Sequence, residues 1–505
     1  MNIHMGQPFF EDLMTAMYPS GLLHTFGVNG KISGSVGAVG EMQDVLPILH
    51  SPRGCGFHYR YSARRRHQPF YDLITSNLEE RDIICGGEDK LRQTIREAWH
   101  CFHPGLIMVI PSPVSDILNE DVRSICTELR REGIPVVGVQ SELFSHRDKN
   151  YSRNQLKELA HQNITGDNRL EMELKGCGFT EALYALVEQV MEPCATIPHS
   201  VNIETVGWGS EGKVALRELE AFLNCCGIQV NTWIPSASLP SLIHAPAAEL
   251  NLVKRVRWAR RMQEKFGTTY LHIGGAGRYA GLEGICTFYQ DIGAALHMED
   301  VVSHAILEAR TLALKETESA RRSLGQARTI LVSRSIQQAP FELKSYVQDY
   351  GLTVSHLCII LTPESRKNLN VTPALEDSLL ARVRKATALY SPDTQILMNP
   401  DDERLKSLFA EADAVVGTSD FTLEGMGAPL IPATNETTSL SFPSYVRTVQ
   451  RMCYRLEHGT ERNNLLLGKM PFQSRYYPLY CDQPNLAAKE MWSRMWLNRK
   501  GGDLV

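Results

Sequence analysis

The sequence predicts an α/β fold made of three units with parallel sheets, packed around a central cleft. Short apolar runs alternate with amphipathic stretches, which is the pattern of strand–helix–strand units. The alternation comes in three successive sets. The 505 residues also exceed the roughly 250–300 at which a single hydrophobic core stops growing.

In the first set, "DVLPILHSP" (44–52), "RDIIC" (81–85), "GLIMVIPS" (105–112) and "IPVVGVQ" (134–140) read as strands. "GGEDKLRQTIREAWHCF" and "DVRSICTELRREG" between them have helical spacing, the second closing on Gly133 as a helix C-cap. A long polar excursion follows. The second set opens near Ser200: "VNIETVGW", "IQVNTWIP", "PAAELNLV" and "TTYLHIGGAG" read as strands and "GKVALRELEAFLNCCG" as a helix. A helical stretch runs to about 326, and the third set begins with "RTILVSRS". There "FELKSYVQDYG" is a helix, while "LTVSHLCIIL", "TQILMN" and "DAVVGTS" are strands. The expected divisions are 1–199, 200–325 and 326–505, with an aromatic, basic tail from about 440 suited to subunit contact.

Composition narrows the function. Apolar residues make up 43% and charged residues 22%, and the net charge is -5, so no nucleic acid or anionic membrane is expected as partner. No stretch reaches the ~18 apolar residues of a membrane span, and the N-terminus lacks a basic region followed by an apolar one. The twelve cysteines are scattered rather than arranged as a small disulfide framework, so a cytoplasmic chain with mostly reduced thiols is expected.

The stretch "HSPRGCGFHYRYSARRRH" places Cys55 between two glycines after a strand. In a parallel α/β sheet, ligands bind beyond the carboxyl ends of the strands. The loops "HSPRGCG", "ICGGE" and "IPSPVSD" should therefore converge on one edge. A thiol near a helix N-terminus is biased towards thiolate, and a thiolate facing a crevice is a good ligand for an iron–sulfur cluster. The alternative is a cysteine packed as a small apolar residue.

Together, "HSPRGCGFHYRYSARRRH", "EERDIICGGEDKL" and "IPSPVSDILNEDV" resemble the first domain of nitrogenase component 1 proteins. That family includes the molybdenum–iron protein subunits, a cofactor-assembly scaffold and dark-operative protochlorophyllide reductase. The resemblance continues in "GKVALRELEAFLNCCGIQVNTWIPSASLPSLIHAPAAELNLV" and "DAVVGTSD", is carried by the order and spacing of the motifs together, and is nearest to α-type subunits. It implies three Rossmann-like domains and a pairing with a homologous sister subunit or with a second copy, as a dimer or tetramer. It also implies an iron–sulfur cluster, of the 4Fe–4S kind, shared with the partner chain at the interface. Electrons would come from an ATP-dependent iron protein.

The departures from the family pattern bear on the site. The glycine–cysteine ligand maps to Cys55. The family's earlier cysteine would fall in "GVNGKISGS" (27–35), which has none, and its Cys-Pro ligand becomes Ser112–Pro113. One of three α-type cluster cysteines is left, with Ser112 as a hydrogen-bonding substitute. Cys85 stands where an apolar residue is usual, either as a substitute ligand or as a small apolar replacement. Arg65 or Arg66 would hold an anionic ligand. "GGAGR" (274–278) could cradle an anion with backbone N–H groups. Cys101 with His100 and His103, and the pair Cys225–Cys226, read as packing and capping residues.

In catalytic α-type subunits the large metal cofactor hangs from one cysteine and one histidine. Arg255 stands about where that cysteine would be, and "GMGAPLIPATNETTSLSFPSY" has no histidine. A permanent cation cannot ligate metal; it suits an organic anion or a neighbouring acid. No nitrogenase-type cofactor is therefore expected to be anchored by this chain. The expected function is a reductase subunit that relays electrons to a substrate in the cleft. The alternatives are a non-catalytic scaffold for cofactor assembly and a structural partner without a cluster.

Overall fold

The computed structural model describes residues 31–57, 59, 73–118, 120–139, 178–205, 212–273, 278–333, 336, 338–361, 373–417, 430–431 and 440–458. Three separate sheets run through it, every strand pairing parallel.

The first set comprises α1 (Lys31–Val39), β1 (Val45–His50), β2 (Ile74–Thr75), α2 (Glu80–Cys85), α3 (Glu88–Phe102), β3 (Leu106–Pro111), α4 (Pro113–Ile117), α5 (Val122–Arg131), β4 (Val136–Gly138) and α6 (Gly178–Gln189). Its strand order is β2-β1-β3-β4. Strands β1 and β3 are buried along their whole length. Leu46, Ile48, Ile107 and Val109 meet α3 and α5 on one face, while Leu49, Met108 and Ile110 join α1 and α6 on the other. A strand covered on both faces has no polar alternation, which is why these runs are continuously apolar.

One element differs from its sequence reading. Residues 81–85 are not a strand; they lie in α2. Glu79 and Asp82 form a reciprocal capping box at its start, and two acids sit in its first turn, where they favour the helix N-terminus. The strand of this segment is the short β2 upstream. "ICGGE" therefore follows a helix, with Gly86 at φ 99 ending α2 and Gly87 at the N-cap of α3.

The second set comprises β5 (Ile197–Glu204), α7 (Gly212–Cys225), β6 (Gln229–Ile234), α8 (Leu239–Ile243), β7 (Ala248–Val253), α9 (Val256–Phe266), β8 (Thr269–His272), α10 (Gly281–Ala295) and α11 (Glu299–Gln326), with strand order β6-β5-β7-β8. The third comprises β9 (Arg328–Ser333), α12 (Ala339–Lys344), a π-helical turn at Ser345–Asp349, β10 (Thr353–Ile359), α13 (Pro373–Tyr390), β11 (Gln395–Met398), α14 (Asp402–Ala410), β12 (Ala414–Val416), β13 (Leu430–Ile431) and α15 (Phe442–His458). Its order is β11-β10-β9-β12-β13. In each sheet the chain starts in the interior, builds outwards and then reverses. This leaves a topological switch point between β1 and β3, between β5 and β7, and between β9 and β12.

The sets are joined by shared cores. Val253, Trp258 and Met262 of the second set pack into the core of α1, α6 and the first sheet. The α6–α9 contact also carries ion pairs, Arg257 Nη1 to Glu181 Oε1 at 2.8 Å and Arg261 to Glu188. Helix α11 has 28 residues, about 42 Å at ~1.5 Å per residue, and packs against α10 and α15. One continuous apolar core includes residues of the second and third sets.

Candidate functional site

The three segments that leave the first sheet at its carboxyl edge do converge. His50, the last residue of β1, is fully buried. Its Nδ1 lies 2.9 Å from Ser76 Oγ and its Nε2 lies 2.7 Å from Glu120 Oε2. The other Glu120 oxygen accepts the Gly87 N–H at 2.5 Å. Ser76 Oγ accepts the Ser51 N–H at 3.1 Å, and the Ser112 N–H donates to the His50 carbonyl at 3.2 Å. This buried network ties the loop after β1, the loop after β2, the α2–α3 junction and the end of β3 into one edge. Buried polar groups are costly unless they are all paired, and here they pair with one another.

Cys55 sits on that edge, in a helical turn at residues 53–57 that follows β1. It is half-buried, packs against the apolar core under α1 and α6, and donates its N–H to the Pro52 carbonyl at 3.2 Å. A Cβ on Gly56 would lie 2.2 Å from Thr75 Oγ1, whereas one on Gly54 would meet nothing within 4 Å. Only the second glycine is required for close approach. Gly87 is required in the same way, since a Cβ there would sit 2.5 Å from Leu78 Cδ2.

Ser112 caps α4. Its N–H donates to Ser115 Oγ at 2.9 Å, and its Oγ accepts the Ser115 N–H at 3.4 Å. Cys85 is exposed at the end of α2. Phe57, Ile84 and Ile117, from the segments after β1, β2 and β3, are 64%, 83% and 77% exposed. These large apolar side chains stand exposed on the helical segments that follow the three strands. Among the described residues no group of three or more His, Cys, Asp or Glu side chains could hold a metal. Arg65 and Arg66 lie outside the described residues.

The carboxyl edge of the second sheet is different in character. Glu204 ends β5 and is fully buried, while Lys254 and Arg255 follow β7 and are 6% and 9% exposed. The Arg255 guanidinium bonds Glu204 Oε1 and lies 4.4 Å from the centroid of the Phe179 ring. Glu204 Oε2 accepts the backbone N–H groups of Lys254 at 3.0 Å and Arg255 at 3.2 Å, with Trp258 Nε1 at 3.3 Å. Burial holds Lys254 well below the usual lysine range; Glu204 opposes that shift and Arg255 adds to it. Arg255 thus has an acid partner, one of the two roles its sequence position left open. Residues 274–277 of the glycine-rich turn lie outside the described residues. The adjoining Arg278 is paired with Asp291 at 2.6 Å.

The other cysteine and histidine positions singled out in the sequence lie away from both edges. His103 is left-handed at φ 46 and caps α3 through its N–H to Trp99 O, and Cys101 is exposed. Cys226 is buried and Cys225 exposed at the end of α7. The stretch without histidine falls mostly outside the described residues.

Sequence reasoning missed Glu120 as the hub of the first edge and Glu204 as the partner of Arg255. Both are acids at the end of an apolar or capped segment, a visible signal. Their partners are 70 and 51 residues away, and no local period reports such a pairing.

The sequence profile of the nitrogenase component 1 type oxidoreductases matches residues 31–169 and 173–452. The nitrogenase iron-molybdenum cofactor biosynthesis protein NifE of Methanococcus maripaludis is 24% identical over 282 residues, covering 53% of each chain. The nitrogenase molybdenum-iron protein alpha chain of Clostridium pasteurianum is 25% identical over 268 residues, 50% of this chain and 44% of that one. Component CfbD of the Ni-sirohydrochlorin a,c-diamide reductive cyclase complex of Methanothermobacter thermautotrophicus is 32% identical over 112 residues, 22% of this chain and 30% of that one. The chain spans about half the length of the first two. The solved structure "Nitrogenase Cp1 at pH 6.5" superposes with a TM-score of 0.52 at 17% identity, over 86% of this chain and 89% of that one, which shows the shared fold.

Proposed function

The chain belongs to the nitrogenase component 1 type oxidoreductase family, and from that premise we propose that it is one subunit of a nitrogenase-like reductase complex. It pairs with a homologous sister subunit or a second copy across the carboxyl edge of its first sheet. Cys55 supplies one thiolate to an iron–sulfur cluster at that interface, and the partner chain supplies the rest. The observation that carries this reading is the half-buried Cys55 on an edge with exposed Phe57, Ile84 and Ile117.

The residues present fit a shared cluster better than a private one. Cys55 is a soft donor held at a fixed height by the Gly56–Thr75 contact, and Ser112 is already engaged as a cap. A cluster held there would pass single electrons, received from an ATP-dependent iron protein, towards a substrate in the cleft. The chain's own part is to present the thiolate, set the loops through His50 and Glu120, and shield the site from water with apolar side chains. Cys85 is the secondary candidate ligand.

At the second sheet, Glu204 already occupies the Arg255 guanidinium, so an organic anion bound there would share or displace that carboxylate. We place no nitrogenase-type cofactor on this chain. The three sheets support domains divided near residues 200 and 325.

The complex, purified anaerobically with its partner, should contain iron and acid-labile sulfide, and Cys55→Ala should lose most of both. Equal iron in the two preparations would sink the assignment. The likeness to a cofactor biosynthesis protein supports a second reading, a scaffold that holds and hands on a metal cofactor. Turnover with an iron protein and ATP separates the two.

A further inference from the structure

Cys194 and His244 form a thiol–imidazole pair at the opposite end of the second sheet from Glu204. Cys194 lies just before β5 and His244 just before β7, so the pair sits at the amino end of the second sheet. The eight residues of β5, about 26 Å at ~3.3 Å per residue, separate it from Glu204. Cys194 Sγ is 3.4 Å from His244 Nδ1 and 3.3 Å from the Glu192 carbonyl oxygen. The thiol is half-buried in an otherwise exposed run, residues 192–199, and His244 is exposed. Fifty residues separate the two in sequence, so the fold alone brings them together.

Among the ten described cysteines this pairing is singular. Cys126, Cys226, Cys286 and Cys358 are buried, and desolvation pushes their thiols up to about 12, 11, 11 and 12. Cys453 is also shifted upwards, by burial and by the carboxylate of Glu457, 3.4 Å away, which opposes a second negative charge. Cys85, Cys101 and Cys225 are exposed, and among the described residues none of them has an imidazole as hydrogen-bond partner. Among the described residues, Cys194 is the cysteine that combines solvent access with an imidazole at hydrogen-bonding distance, the arrangement that activates a thiol.

We propose that Cys194 is a redox-modification site, with His244 as its base, that takes low-molecular-weight disulfides such as oxidised glutathione. With the ring proton on Nε2, His244 takes the Cys194 proton at Nδ1. The thiolate sulfur attacks one sulfur of the disulfide; a new Cys194 S–S bond forms and the original S–S bond breaks. The departing thiolate takes up the proton from His244, leaving one mixed disulfide and one free thiol.

The test is competitive labelling of the full-length chain, first with oxidised glutathione and separately with iodoacetamide, each site read by peptide mass spectrometry. Cys194 should react at least about tenfold faster than Cys101 and Cys225 in the same folded molecules. His244→Asn should bring it down to their rate while leaving theirs unchanged. Because the wild-type ranking is internal to one sample, it stands even where the variant fails to fold. Cys194 reacting no faster than Cys101 and Cys225, or a folded His244→Asn chain retaining the advantage, overturns the proposal.

Discussion

Arg255 and Glu204 close a buried ion pair at the switch point of the second sheet, with the backbone N–H groups of residues 254 and 255 donating to the same carboxylate. The pair joins the end of β5 to the turn after β7. Removing one partner from such a pair strands the other charge, which costs far more than the pair itself contributes. Glu204→Ala should therefore destabilise the chain by about 3–5 kcal/mol in urea unfolding. The double variant Glu204→Gln with Arg255→Met, which removes both charges of the pair, should recover most of that loss. A Glu204→Ala chain as stable as wild type would show that water reaches the pair.

Gly54 and Gly56 should respond differently to the same substitution. Gly56→Ala drives a methyl group into Thr75 and should cost about 1–3 kcal/mol, the usual range for overpacking. Gly54→Ala should stay within about 0.5 kcal/mol, because open space faces that position. Thermal unfolding of both variants checks this. If the thiolate reading is right, Gly56→Ala should also lower the iron content of the complex, and Gly54→Ala should not.

The cysteines should divide by place in the fold. Cys55→Ala should lose most cluster iron, Cys85→Ala a smaller share, and Cys101→Ala none. Cys101 ends α3 on an exposed surface, away from the carboxyl edge of the sheet. Iron and sulfide analysis of the anaerobic complex decides, and equal losses in all three would point to general unfolding.

Asp349 gives the fold a pH dependence. Its carboxyl is buried in the π-helical turn beside Gly281, and burial pushes it up to about 6; Glu283 adds to the shift, while the Glu283 backbone N–H and Lys344 oppose it. The folded value lies above the unfolded ~3.9, so the native state holds the proton more tightly. That contribution is complete below about pH 4 and is lost as pH rises through about 6. At about 1.4 kcal/mol per pH unit, the ionised group costs the fold on the order of 2–3 kcal/mol at neutral pH. Asp349→Asn, whose amide oxygen can still accept the Glu283 N–H, should gain stability above pH 6 and flatten the profile from 4 to 7. An unchanged profile in urea titrations would assign the dependence elsewhere.

The class of fold was legible in the sequence, because a strand covered on both faces must be apolar throughout, as in β1 and β3. The sequence also marked the family, whose motifs keep their order along the chain. It brought the loop of Cys55 and the turn at Ser112 to one edge, since parallel strands send all their carboxyl ends the same way. It misread 81–85, where two isoleucines and a cysteine look like a strand but a capping box of Glu79 and Asp82 starts a helix. The pairings came with the folded chain: His50 with Glu120, Arg255 with Glu204, Cys194 with His244. Each joins residues 50 or more apart, and no local propensity or period encodes which acid or base will meet across a sheet edge. For the first two burial decides it, because a polar group carried into the core must find its partner there.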